Sequence, residues 1–121
     1  MSNPIEHSGK NQVYDTGAKR DYKKGKGRMD LLPFDALIRV SKHFEHGAEH
    51  YGEHNWQKGI PMHQYIDSAL RHIAMYMEGH TNEDHLCAAS WNLLCAMWTE
   101  ENLPEMQDIR TRIQETEENN G

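Results

Sequence analysis

Between Leu86 and Trp98 an apolar residue returns on two sides of every helical turn. Leu86, Leu93, Leu94 and Met97 form one stripe, and Trp91, Cys95 and Trp98 form a second. A helix that is apolar nearly all round is buried on several sides, so this segment must sit in the middle of an assembly of helices. The chain has 121 residues, which suits one domain. Its hydrophobic content of 36% is low for a self-sufficient globule. Other helices of the chain, together with copies of the chain, are therefore the expected cover.

The remaining helices follow from apolar spacing. Leu37, Val40, Phe44, Ala48 and Tyr51 predict a helix over Phe34–Tyr51. It is launched by Asp30-Leu31-Leu32-Pro33, with proline tolerated at the opening turn. Gly47 inside it costs about 1 kcal/mol relative to alanine, which implies close packing or the approach of a ligand. Gly52 to Pro61, "GEHNWQKGIP", reads as a loop. A second helix over Met62–Glu78 carries Ile66, Ala69, Leu70, Ile73 and Met77 on one face and stops at Gly79. The doubly apolar helix opens at Asn82 as N-cap, with Glu83 and Asp84 in its first turn. A fourth helix after Pro104 carries Met106, Ile109 and Ile113. No stretch alternates as a strand does. The expected class is all-α, a four-helix bundle completed by oligomerisation. Residues 29–118 form its single domain, 1–28 a flexible basic arm and 119–121 a tail.

Charge is divided along the chain. Seven Lys/Arg fall between Lys10 and Arg28, within a chain of net charge −6. Duplex nucleic acid is a poor partner for the acidic body, while a phosphate-bearing ligand suits the arm. In Gly25-Lys26-Gly27-Arg28 the glycines let backbone N–H groups approach an anion, and Lys26 and Arg28 supply charge. The spacing is not that of a P-loop. Cys87 and Cys95 stand eight apart in one helix, roughly 12 Å, too far to bridge. A reducing cytoplasm is the simplest compartment, and no apolar run is long enough to span a membrane.

The chemistry-bearing residues cluster. His43, His46, His50 and His54 recur at three- and four-residue steps, interleaved with Glu45, Glu49 and Glu53. Such spacing can present metal ligands from successive turns. A solvated polar face is the plainer reading for most of them, and His50 and His54 look the most expendable. Arg71-His72 lies near the end of the second helix, and Glu83-Asp84-His85 follows a short turn. The brevity of that turn brings His85 or Asp84 towards His72, although Glu83 and Asp84 also complement a helix dipole. His85, Ala89 and Asn92 draw a polar line through an apolar helix, where Asn92 either satisfies a core network or reads a ligand.

Four ordered segments resemble a known family. "GKGRMDLLP" is similar to GK-x-R-x-DLLP, and "FEHGAEHYGEHNWQKGIP" to F-x-x-GA-x-x-YG-x-x-NW-x-KG. "YIDSALRHIAMYMEG" and "NEDHLCAASWNLL" resemble its RH-containing and D/E-x-HL…WN helices. The family is that of the phage and prophage proteins described as dATP/dGTP diphosphohydrolase, N-terminal, relatives of the MazG-like all-α nucleotide pyrophosphatases. The resemblance covers about Gly17 to Glu101.

It implies a MazG-like bundle and hydrolysis of a purine dNTP to the monophosphate and pyrophosphate. It further implies Mg²⁺ or Mn²⁺ held by acidic side chains, a homo-oligomer (dimer or tetramer), and the host cytoplasm as location if phage-encoded. Carried over by position, Lys26, Arg28, Asn55, Trp56 and Arg71 grip the nucleotide, joined by Asn92. His72, Asp84 and His85 form an inner cluster, and Glu45 is the best acid on the first helix. The implied metal set is Glu45, Glu49, His72, Glu83, Asp84 and His85, with Glu45, Asp84 and His85 as catalytic groups. One departure stands out. MazG-like enzymes carry E-x-x-E on one helix and E-x-x-D on another, whereas Glu45 and Glu49 are four apart. The second motif here reads His85-Leu86-Cys87-Ala88, and Glu83 and Asp84 one turn earlier compensate. Histidine in the set favours Mn²⁺ over Mg²⁺. The competing readings are a non-catalytic nucleotide-binding or sequestering protein and a structural helical oligomer whose histidines pick up zinc.

Overall fold

The computed structural model describes residues 11–21 and 24–115. Positions 1–10 and 22–23 of the expected arm, the last residues of the expected domain (116–118) and the 119–121 tail lie outside them. Three helices dominate: α1 (Phe34–Tyr51), α2 (Met62–Met77) and α3 (His85–Asn102). Short 3-10 turns cover Met29–Leu31, Asn55–Lys58 and Pro104–Met106. Among the described residues no helix is long and apolar enough to cross a membrane.

The strongest packing joins α2 to α3, and α1 packs mainly on α3. The central helix is thus the one that the sequence makes apolar all round, but of its two stripes only Trp91–Cys95–Trp98 turns inward, whereas Leu86, Leu93, Leu94 and Met97 are exposed. Its buried residues include Cys87, Ala88, Ala89, Cys95 and Ala96, whose small side chains let neighbouring helix axes approach closely. The core sits at Met62, Tyr65, Cys95 and Ala96, with Phe44, Trp56, Ile60 and Trp91 packed against it. Trp56 meets Phe44 and Trp98 edge-on, with centroids 6.0 and 5.1 Å apart, an arrangement aromatic quadrupoles favour. Tyr65 donates its hydroxyl to the Trp56 carbonyl at 3.2 Å, which ties the 55–58 turn to α2.

The structure corrects the sequence reading in four places. The expected fourth helix is absent: after Pro104–Met106 the chain to Glu115 has no regular structure. Ile109 and Ile113 are exposed, and a short helix without a packed apolar face is marginal in water. Part of the expected flexible arm is an antiparallel hairpin, β1 (Asn11–Val13) with β2 (Lys19–Asp21), in register Gln12↔Arg20. Its turn is closed by Gly17 donating to the Tyr14 carbonyl at 2.8 Å, with Gly17 at φ 86°, a conformation glycine adopts without steric cost. On α2 the buried residues are Met62, Tyr65 and Ala69, while Leu70, Ile73 and Met77 face outward. Finally, α3 is capped by Asp84, not Asn82, its carboxylate accepting from the Cys87 N–H at 3.1 Å.

The start of α2 is capped from a distance. Pro61 precedes it and offers no side-chain cap. Asp108 accepts from the His63 N–H at 2.9 Å and from the His63 imidazole, so the chain at Asp108 is held to the helix start. The His63 backbone N–H and then its side chain hold the Asp108 carboxyl below its usual range. A carboxylate with a depressed folded pKa stabilises while it is ionised. The clasp is therefore complete above about pH 4 and is lost as pH falls through the lower folded value. Hydrogen exchange should show the His63 amide protected at about pH 5 and losing protection as pH falls below about 4. Equal protection on both sides of that window would mean Asp108 does not hold it.

Candidate functional site

Three elements converge beside the α2–α3 turn. His72 comes from the last turns of α2, Glu83 from the link, and His85 is the first residue of α3. His72 Nδ1 and His85 Nδ1 are 3.0 Å apart. Glu83 Oε1 lies 3.3 Å from the first and 3.7 Å from the second. Among the described residues this is the group of three whose ligand atoms could share a metal ion. Donors about 2.1 Å from a Zn-class ion stand roughly 3.0–3.5 Å apart at ordinary bond angles; the His72–His85 and His72–Glu83 edges fall in that range, and the 3.7 Å His85–Glu83 edge is slightly longer.

The protonation pattern suits such a role. His85 is buried, and its Nε2 stands 2.9 Å from Asn82 Oδ1. With the Asn82 amide so oriented, its oxygen can only accept, so His85 carries its proton on Nε2 and turns the Nδ1 lone pair to the cluster. The residue read from sequence as a helix cap thus orients a candidate ligand. His43 of α1 adjoins the same group. Burial and then the nearby His72 push its imidazole below the usual range, and its ring packs against Trp91 at 5.3 Å.

Asp84 turns elsewhere. Its two oxygens take Arg39 of α1 at 2.6 and 2.7 Å, besides the Cys87 N–H. The Arg39 hydrogen bonds are the main reason its carboxyl sits below the usual range. Of the two groups the short turn was expected to bring to His72, His85 arrives and Asp84 does not: it fastens α1 to the start of α3. Arg39, which the sequence did not single out, is its partner.

A cavity of about 590 Å³ lies between the end of α1, the 52–60 loop and Trp91 of α3, and none of His72, Glu83 and His85 lines it. His43, Phe44, Trp56 and Trp91 form part of its wall, with Asn55 and Gly47. Asn55 and Trp56, assigned to the nucleotide from sequence, therefore come together on one surface. His43, on that surface, is near enough to the group for the charges of His72 and Glu83 to act on it, and its spacing with the other histidines was the one sequence signal for it. Gly47 has no atom within 4 Å of an added Cβ, so open cavity space, not close packing, surrounds it. Gly47→Ala should raise stability by about 0.5–1 kcal/mol, read as a higher midpoint in urea unfolding; a lower midpoint would mean that the space is not free.

The other sequence-assigned residues are dispersed. Glu45 and Glu49 are exposed on α1 and are not part of the three-residue group. Arg28 forms a two-pronged pair with Asp30 at 2.9 and 2.7 Å, and Lys26 stands 3.7 Å from Asp21. Arg71 pairs with Asp67 one turn back on the exposed side of α2. Asn92 is buried and donates to the Ala88 carbonyl of its own helix at 2.9 Å, which is the core-satisfying alternative for that residue.

No curated protein and no solved structure matches the chain. Residues 16–109 match the family model described as dATP/dGTP diphosphohydrolase, N-terminal. That span holds all three helices, the His72–Glu83–His85 group and the cavity, and the chain belongs to the dATP/dGTP diphosphohydrolase, N-terminal, family.

Proposed function

We propose that the chain hydrolyses a purine deoxynucleoside triphosphate, dATP or dGTP, to the monophosphate and pyrophosphate with the help of a divalent ion. The observation that carries this reading is an aromatic-walled cavity whose His43 lies within electrostatic reach of His72 and Glu83, two members of the three-residue ligand cluster found among the described residues. Its volume lies in the range of small-ligand pockets. His72, Glu83 and His85 would hold the ion; two imidazoles and one carboxylate suit Mn²⁺ better than Mg²⁺. Such an ion would screen phosphate charge and lower the pKa of a bound water.

The chain's own residues supply the rest. Trp56 offers a π-face to a purine and Asn55 a donor and acceptor for a base edge. Asn82 keeps His85 in the ligating tautomer. Asp84 and Arg39 position the start of α3, and with it His85. Arg28 sits in an exposed pair and Lys26 in a looser one with the half-buried Asp21; pairs of this kind contribute little to stability and can exchange their carboxylates for phosphate oxygens. Glu45 and Glu49 remain candidates for a second acidic contribution from α1.

The active form in this proposal is a homo-oligomer. Ile38 of α1, Leu70 and Met77 of α2 and Met97 of α3 are 58%, 60%, 78% and 56% exposed. That apolar surface is what a second copy would cover.

The test is incubation of the purified protein with each dNTP and Mn²⁺ or Mg²⁺, with products resolved by chromatography. Monophosphate and pyrophosphate from dATP or dGTP are expected. Nucleotide-dependent thermal stabilisation without turnover would replace this reading with a nucleotide-sequestering protein, for which the lone carboxylate in the cluster would be the explanation.

A further inference from the structure

His46 and His50 are one turn apart on the exposed side of α1, and neither belongs to the cluster beside the α2–α3 turn. Their Nε2 atoms are 3.0 Å apart, and the rings meet edge to face with centroids at 4.5 Å. Two imidazole nitrogens stand at that separation for one of two reasons. Either one ring donates its N–H to the lone pair of the other, or both lone pairs meet on a common cation. Nitrogen donors about 2.0–2.1 Å from a Zn-class ion are roughly 3.0–3.4 Å apart at ordinary bond angles. The helix itself sets the spacing, since residues four apart are surface neighbours. A cation can thus replace the shared proton without a change in backbone.

We propose a second metal site at His46 and His50, chelating a divalent ion of the cobalt-to-zinc part of the transition series. Imidazole pairs suit these ions, whereas Mg²⁺ demands oxygen donors. Both histidines lie on the wall of the cavity, together with Glu53 and His54. His54 is held there at φ 61°, a left-handed backbone in which histidine is several-fold enriched among residues other than glycine. The exposed rim leaves the remaining coordination positions open to water or to anionic oxygens of a cavity ligand. The site uses only α1 and does not depend on the nucleotide reading.

The experiment is calorimetric titration of the full chain, stripped of metal with EDTA, with Ni²⁺. The double variant His46→Ala/His50→Ala should bind one equivalent fewer than the parent, while His72→Ala retains that equivalent. Both histidines are exposed and alanine is the strongest helix former, so the double variant should keep its far-ultraviolet circular dichroism. Each single variant, His46→Ala or His50→Ala, should weaken the affinity at this site at least tenfold. A double variant with the stoichiometry and affinity of the parent would overturn the proposal. So would a loss confined to one of the single variants, because one imidazole is not a chelate. No nucleotide enters the assay, so its outcome stands apart from that of the hydrolysis experiment.

Discussion

Glu83→Gln is expected to lower dATP or dGTP hydrolysis by about 100-fold or more, at or beyond the upper end of what loss of a metal-site supporting group costs. Glu83 supplies the single carboxylate that meets both His72 and His85. Glutamine keeps the shape of the side chain and removes its negative charge, so a bound cation loses its anionic ligand while the local packing stays. The side chain is half exposed, and a surface substitution of this kind normally changes stability by no more than about 0.5 kcal/mol. Thermal unfolding should therefore be nearly unchanged while activity and Mn²⁺ affinity fall together. Glu45→Gln is the informative companion, because the sequence reading took Glu45 as the best acid on α1. Activity within a few-fold of the parent for Glu83→Gln, with a large loss for Glu45→Gln, would move the metal from the α2–α3 turn to α1.

Tyr65→Ala is expected to cost about 3–5 kcal/mol, the range for deleting a buried aromatic side chain. Tyr65 is 2% exposed in the centre of the core cluster. Its removal leaves a cavity between α2 and α3 and takes away the donor to the Trp56 carbonyl. A loss of this size corresponds to at least about 12 °C in Tm for a domain near 100 residues. Tyr65→Phe separates the two contributions: it keeps the ring and gives up one hydrogen bond, about 1 kcal/mol. Trp56 is tied to α2 through that bond and lines the cavity. The same variant should therefore loosen the cavity wall, visible as a red shift of tryptophan emission before global unfolding. An unfolding midpoint within a degree or two of the parent would mean that Tyr65 is not a core anchor.

Much of the fold was legible because helical periodicity is a local property. The range Phe34–Tyr51 for α1 and the start of α2 at Met62 agree with the apolar spacing and the flanking proline and glycine signals. The face that α2 buries was not legible. Ile66, Ala69, Leu70, Ile73 and Met77 are the obvious stripe, yet Tyr65 and Met62 are inside and Leu70 and Met77 outside. A tyrosine reads as amphipathic in sequence, and the acceptor that the Trp56 carbonyl supplies to its buried hydroxyl comes from a separate segment. The missing fourth helix has a similar origin: Met106, Ile109 and Ile113 have helical spacing, but Asp108 is engaged at the start of α2. At the site, the short α2–α3 turn was enough to bring His72 towards His85. The separate fates of Glu83 and Asp84, adjacent in sequence, were not visible, because Arg39 lies far upstream of both.

By itself the sequence determined the helical class, the central position of the doubly apolar α3, the family, and the neighbourhood of His72 and His85. These follow from residue spacing over a few turns, where the backbone geometry leaves little freedom. Only the tertiary structure decided that Glu83 joins the two histidines while Asp84 caps α3 and holds Arg39. It also decided that Asn82 orients His85, and that His43, Trp56 and Trp91 share a cavity with the His46–His50 pair. The physical reason is that side-chain partners are chosen by competition among donors and acceptors brought together from distant segments, and sequence spacing does not record which of them wins.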